Sequence, residues 1–412
     1  MRTTSAPASA LAAAVAAAPL PLSVASSSAP TALRAAVLPP PPLITAQPRV
    51  GPPPETIASF YAPARLAALK AILQRKAYLP DGPWLHGPMQ NYWTKKFSDR
   101  RPTYPFITGD GFRYLCEHRC QNKGCDFAAK DVSAGDCIFI AYTALGEGTT
   151  STRYFHAFNK IRAAIAVPYV IVTHNGDLSA PDGDDWHPSE SNAAEWRETF
   201  GSWLDSPHLV AWFAQNCHLT SSVATPAKLH CIPIGIENRY ATYGARPESY
   251  FDEGMVHRNE RTASKVLLVD FGGGNDETKQ SAENAFRVEA YRAFTAQWVT
   301  HPSKRLDHGK WFNAVQTHMF ILCPHSHGYD THRVWEALLV GGFPLVKTSQ
   351  LDELYDGLPV VIVKKWSDAT EVFLRKKHAE LIAQAFQYNR LLFPYWEEKV
   401  RAAQRAAGAI IA

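Results

Sequence analysis

Short, largely apolar runs recur along this chain, separated by stretches with helical spacing, and this alternation limits the fold more than any other feature. The runs are Cys137–Tyr142, Tyr169–Thr173, Leu209–Phe213, Leu229–Ile234, Lys265–Val269, Met319–Cys323, Phe343–Val346 and Val360–Val363. Strands that are apolar on both sides belong in parallel sheets with helices over both faces. Helical patterns at Ile57–Lys76, Phe112–Arg119, His156–Ala166, Ser281–Phe294, Thr331–Val340, Asp368–Gln387 and Pro394–Ala409 supply the covering elements. Shorter strands are expected at Tyr104–Ile107 and Gln297–Thr300. The expected class is α/β, built from parallel βαβ units.

A chain of 412 residues exceeds what one hydrophobic core organises, so two bodies are expected. The pattern divides at Glu237–Asn259, a stretch rich in Tyr, Asn and Arg, into 55–240 and 241–412. The first 54 residues differ from both. They hold 12 of the 30 prolines, many Ala and Ser, and no acid before Glu55. Such a segment buries too little apolar surface to offset its ordering entropy, and a disordered leader is expected. Arg2, the apolar run Ala10–Ala18 and the small residues Val24–Ser28 fit a secretory signal, with the endoplasmic reticulum or Golgi lumen as destination. The lack of acids equally fits a plastid-type transit peptide. The apolar run is about half the length of a bilayer-spanning helix.

The net charge of +4 is small, and no dense Lys/Arg block suggests a nucleic-acid partner. Seven cysteines leave at least one unpaired within the chain. Cys116, Cys120 and Cys125 cluster closely enough for a disulfide loop. A zinc site with His118 as fourth ligand is an alternative, although the knuckle spacing is absent, and unlinked thiols are a third.

Chemistry concentrates between Cys323 and Val346. A buried strand ends at Cys323, and Pro324, His325, Ser326, His327 and Gly328 lead into a helix that opens with Asp330, Thr331 and Arg333. Ligands of α/β folds sit at the carboxyl ends of strands, beside the next helix N-terminus. Asp330 stands at the N-cap position. Arg333 in the first turn has the wrong sign for the helix dipole unless an anion binds there. Glu336, three residues on, either pairs with Arg333 or offers a carboxylate to a sugar diol. The Gly272–Gly274 turn ends another strand, and Gly273, Asn275 and Arg287 are placed near the same ligand.

The string F-x-L-C-P…D-T-H-R-x-W-E-A-L-x-x-G-G-F-P-L-V, followed by L-P-V-V-I-V and Trp366, resembles the donor-binding half of exostosin-like glycosyltransferases. The likeness is good over about 265–375 and looser through P-F-I-T-G-D-G-F-R, H-N-G-D, W-F-A-Q-N and K-L-H-C-I-P-I-G-I-E-N. It implies a GT-B architecture, two Rossmann-like lobes with the active site in the cleft between them. It further implies a nucleotide diphosphate sugar, UDP-linked by expectation, with Arg333 on the diphosphate and Glu336 on the ribose, and transfer to a glycan or glycoconjugate hydroxyl with inversion. No cofactor and no metal are expected, in keeping with the absence of a DxD motif at a strand end. Transfer needs a base for the acceptor hydroxyl, and Asp110 and Asp177 occupy suitable turns of the first half. His174, Asn216, Asn238 and Arg113 are further candidates for the cleft, Arg113 alternatively pairing with Glu117. A non-catalytic nucleotide- or carbohydrate-binding protein and a sugar-nucleotide epimerase are the rival readings.

Overall fold

A computed structural model of the chain describes residues 53–74, 103–121, 124–141, 153–177, 179–181, 198–218, 227–237, 246–255, 264–272, 285–326 and 328–410, all within one compact unit. The leader expected over 1–54 lies almost entirely outside the described residues. Helices α1 (Pro63–Gln74) and α2 (Gly109–Leu115) precede the first sheet, and α3 (Arg153–Arg162) lies within its connections. Strands β1 (His118–Gln121), β2 (Gly124–Cys125), β3 (Cys137–Ala141), β4 (Tyr169–His174), β5 (Ala180–Pro181), β6 (Leu209–Ala214), β7 (Cys217–His218) and β8 (Leu229–Cys231) follow in this half. The six-stranded sheet has the order β2-β1-β3-β4-β6-β8, parallel except for the edge hairpin β1–β2; β5 and β7 pair separately.

The parallel strands thus lie side by side in chain order. Right-handed crossovers then all fall on one face. On that face Phe155, Trp203 and Trp212 stack with centroids 5.5 and 5.3 Å apart. The opposite face needs a cover from elsewhere in the chain. Helix α2 supplies part of it, with Phe112 stacked on His174 of β4. The rest comes from the far end of the sequence, described below.

The second half is wound differently. Helix α4 (Ala285–Ala293) follows β9 (Lys265–Leu268) and leads to β10 (Val299–Thr300). Helix α5 (His308–Thr317), β11 (His318–Leu322), α6 (His332–Leu339), β12 (Phe343–Lys347), β13 (Val361–Val363), α7 (Glu371–Ile382) and α8 (Phe393–Ala409) complete the chain. The sheet is wholly parallel in the order β10-β9-β11-β12-β13. Winding reverses between β9 and β11, so helices cover both faces. Phe320 and Leu322 face a core with Ala290, Phe294 and Leu374, while Ile321 and Cys323 face the core continuous with the first half.

The first sheet ends at Cys231 and the second begins at Lys265, but both chain ends cross between them. Tyr61, just before α1, donates its hydroxyl to the Leu338 carbonyl at 2.7 Å, and Glu55 forms a bridge with Phe386. Helix α8 crosses the other way onto β4 and β6, burying Trp396, Val400, Ala403 and Ala407.

Several local expectations need correction. Tyr104–Ile107 forms a turn, with only Phe106 bridging to Leu392. The helix expected over Phe112–Arg119 stops at Leu115, because His118–Gln121 joins the sheet as β1. Helix α5 and strand β1 were not expected at all. The cysteines form three disulfides, Cys116–Cys137, Cys120–Cys125 and Cys217–Cys231, with Cys323 free and buried. Zinc ligation by the first cluster is therefore excluded: its three sulfurs are in bridges, and His118 Nε2 bonds Asp136 Oδ2 at 2.8 Å.

Candidate functional site

Where neighbouring strands are wound in opposite directions, the loops at their carboxyl ends part and leave a crevice. In the second sheet this is the gap between β9 and β11. The chain leaves β9 through Asp270, Phe271 and Gly272, and leaves β11 through Cys323–Ser326. Arg287 of α4 spans the gap, donating to the Gly272 carbonyl at 3.0 Å and to Ser326 Oγ. Its pKa falls to about 10, first through burial and then through Arg333 and Arg305, while Asp177 from the first half pulls the other way. Arg333 stands in the first turn of α6, half-buried, with its guanidinium 5.6 Å from the Trp311 ring centroid. Burial also lowers its pKa, and Asp270 and Glu336 oppose that shift.

Polar atoms without partners surround these cations. Thr331 is the N-cap of α6, but its buried Oγ1 makes no hydrogen bond. His325 Nδ1 is likewise buried and unpartnered; its Nε2 lies 3.4 Å from the Lys347 carbonyl, and burial lowers its pKa. Guanidiniums, a hydroxyl, an imidazole and the opening turn of a helix thus converge on one end of one sheet.

Asp330 is neither the N-cap nor a free ligand group. It is 2% exposed and accepts from Ile234 N–H at 2.8 Å, from Trp335 Nε1–H at 2.9 and 2.8 Å, and from the Tyr355 hydroxyl at 3.3 Å. Burial raises its pKa to about 6 despite these donors. Glu336 makes no i,i+3 pair with Arg333 among the described ion pairs. It accepts the Glu237 backbone N–H at 3.2 Å and bonds the buried Tyr250 hydroxyl. His332 Nδ1 donates to the Gly235 carbonyl at 2.8 Å. One flank of α6 is therefore sewn to the Ile234–Glu237 segment that follows β8, and Arg333 is left on the flank facing the crevice.

The facing wall comes from the carboxyl ends of β4 and β6. His174 ends β4, fully buried: Nε2–H donates to the Pro233 carbonyl at 3.0 Å and Nδ1 accepts the Asn175 N–H at 2.7 Å. Burial pushes it down to about 4, with the charge of Asp110 acting in the opposite sense. Both nitrogens are committed, so His174 is a structural pin rather than a cleft ligand. Asn175 is left-handed with φ 68°, and its buried Nδ2 has no partner. Asp177 follows in the same turn, half-buried. Asp110 lies in the first turn of α2, whose N-cap Thr108 accepts the Gly111 N–H, and is also half-buried. The two candidate carboxylates thus sit in adjacent turns, and Asp177 is the one whose charge reaches Arg287.

Asn216, in the turn between β6 and β7, is fully buried and left-handed with φ 50°. It links Asp330 and Asp177 and does not line a cleft. Arg113 is buried with Nε–H on Gln121 Oε1 at 2.7 Å, while Glu117 accepts from Cys137 N–H and Gln404, and the alternative Arg113–Glu117 pair is not among the described ion pairs. Asn238, Gly273, Asn275 and His327 lie outside the described residues. Arg305, Asp270 and Trp311 were not singled out from the sequence; the one available signal was Asp270, placed directly after the strand that ends at Val269. Among the described residues no group of three or more His, Cys, Asp or Glu is placed to hold a metal ion. No family model matches this chain, and no curated protein matches it.

Proposed function

We propose that the chain is a glycosyltransferase of GT-B type that takes a sugar from a nucleotide diphosphate, UDP in the first instance, to a glycan or glycoconjugate hydroxyl. The observation that carries this reading is the pair Arg287 and Arg333 at the strand reversal of the second sheet. Burial lowers the pKa of both guanidiniums and the charge of Arg333 lowers that of Arg287 further, so the pair is costly to hold together, and a diphosphate between them reverses the sign of that interaction. As the bond from the anomeric carbon to the diphosphate oxygen breaks, negative charge grows on that oxygen, and fixed donors there stabilise the transition state. Thr331 Oγ1 is within the same crevice end to serve as a further donor. Asp177, or Asp110 in the neighbouring turn, takes the proton of the acceptor hydroxyl, and attack from the opposite side inverts the anomeric centre. Three disulfides support a working place in an oxidising lumen such as the secretory pathway. No helix among the described residues is long and apolar enough to cross a membrane.

The test is binding of uridine and guanosine diphosphates by calorimetry. Arg333→Ala and Arg287→Ala are each expected to weaken the preferred nucleotide by about 1.5–3 kcal/mol, the cost of a lost charge-assisted contact. Unchanged affinity in both variants refutes the assignment.

A further inference from the structure

Each half of the proposed site is built on its own sheet, and one side chain bonds to both. Asn216 Oδ1 accepts the backbone N–H of Asp330 at 2.8 Å, and its Nδ2–H donates to the backbone carbonyl of Asp177 at 3.0 Å. Gly328 leaves room for this amide, since a Cβ there would stand 2.6 Å from Asn216 Nδ2. The Asp330 end fixes the loop that delivers Thr331 and Arg333. The Asp177 end fixes the turn whose carboxylate charge acts on Arg287. The shared amide therefore sets how far the base stands from the diphosphate.

The residue type is narrowly determined. The position is left-handed at φ 50°, a region open to Gly and, among side chains, chiefly to Asn and Asp. Of these three, only Asn presents an acceptor and a donor on one short planar group. Asp preserves shape and the acceptor for the Asp330 N–H, but sets an oxygen against the Asp177 carbonyl. Gly preserves the backbone and removes both bonds.

We propose that Asn216 is a positioning residue that couples donor seating on the second sheet to acceptor deprotonation on the first. This rests on the nucleotide-sugar reading above. Asn216→Asp breaks only the Asp177 half of the bridge. Its affinity for uridine diphosphate should stay near the wild-type value, while kcat for transfer falls by about 10²-fold, the scale of a misplacement of about 1 Å. Asn216→Gly breaks both halves, so it should also lose about tenfold in nucleotide affinity, one hydrogen bond's worth. Equal loss of affinity in the two variants, or an unchanged kcat per folded molecule in Asn216→Asp, overturns the proposal.

Failure of the functional reading is distinguishable, because the wild-type chain would then bind no nucleotide. Amide exchange reads the bridge directly in that case. Segments 172–177 and 328–334 should both lose protection in Asn216→Gly, and only the first in Asn216→Asp. Absence of that split overturns the coupling on its own.

Discussion

Acidification should weaken this protein through its buried imidazoles, and the size of the effect follows from the structure. His174 is locked neutral between the Pro233 carbonyl and the Asn175 N–H, and burial takes it from 6.5 to about 4. His230, stacked on Phe213, is lowered to about 4 by burial and then by Lys399. Both have folded values below the unfolded one, so the unfolded chain takes up protons first as pH falls. Their stabilisation is therefore lost from about pH 6.5 downward, by about 2 kcal/mol each at pH 5. Asp330 acts in the opposite direction. Its folded pKa of about 6 lies above the ordinary 3.8, so protonation of the folded state returns about 1.4 kcal/mol at pH 5. Together these three groups contribute a loss of about 2.5 kcal/mol between pH 7.5 and pH 5. Urea unfolding at both pH values measures it. His174→Gln, already less stable at pH 7.5, should lose about 2 kcal/mol less than the wild type over the same interval, and Asp330→Asn about 1.4 kcal/mol more. Parallel losses in all three proteins would falsify the account of His174 as a neutral buried pin.

Three further outcomes are expected. Replacing Cys217 and Cys231 by Ser opens a bridge with a sequence separation of 14 and should cost about 3 kcal/mol in chemical denaturation; a variant as stable as the reduced wild type is consistent, one as stable as the oxidised form is not. Gly235 has φ 74°, and a Cβ there would lie 2.1 Å from the Ile107 carbonyl oxygen, so Gly235→Ala should lose about 3 kcal/mol or more and lower the melting temperature by several degrees. Arg390 donates to the Leu354 and Asp356 carbonyls and packs over Tyr395 and Trp396. Arg390→Lys should recover little of the stability that Arg390→Ala loses, because an ammonium cannot reproduce the fork; full recovery would contradict this.

The central strands were legible because parallel strands covered on both faces must be apolar throughout, as Ile138–Ile140, Val170–Val172 and Phe320–Leu322 are. Strand β1 was hidden because a short strand next to the sheet edge, with the polar residues His118, Arg119 and Gln121, carries no such run. The Arg333 turn was found from its charge at a helix start, which local sequence displays. The roles of Asp330, Glu336 and Asn216 were not found. A carboxylate that binds a ligand and one that binds a backbone N–H have the same local signature. What separates them here is a partner 96 residues away at Ile234, or 99 away at Glu237. Disulfide pairing was open for the same reason: Cys116 bonds neither of its near neighbours but Cys137, brought beside it by the parallel pairing of β1 and β3.

The crossing of α8 onto β4 and β6 sets an order on biosynthesis. Every strand of the first sheet leaves the ribosome well over a hundred residues before the helix that shields its second face. Until then Phe112, Val170 and Val172 present an oily surface to whatever the nascent chain meets, a task suited to chaperones. A cut or a premature stop ahead of Phe393 would thus cripple the half farthest from it in sequence.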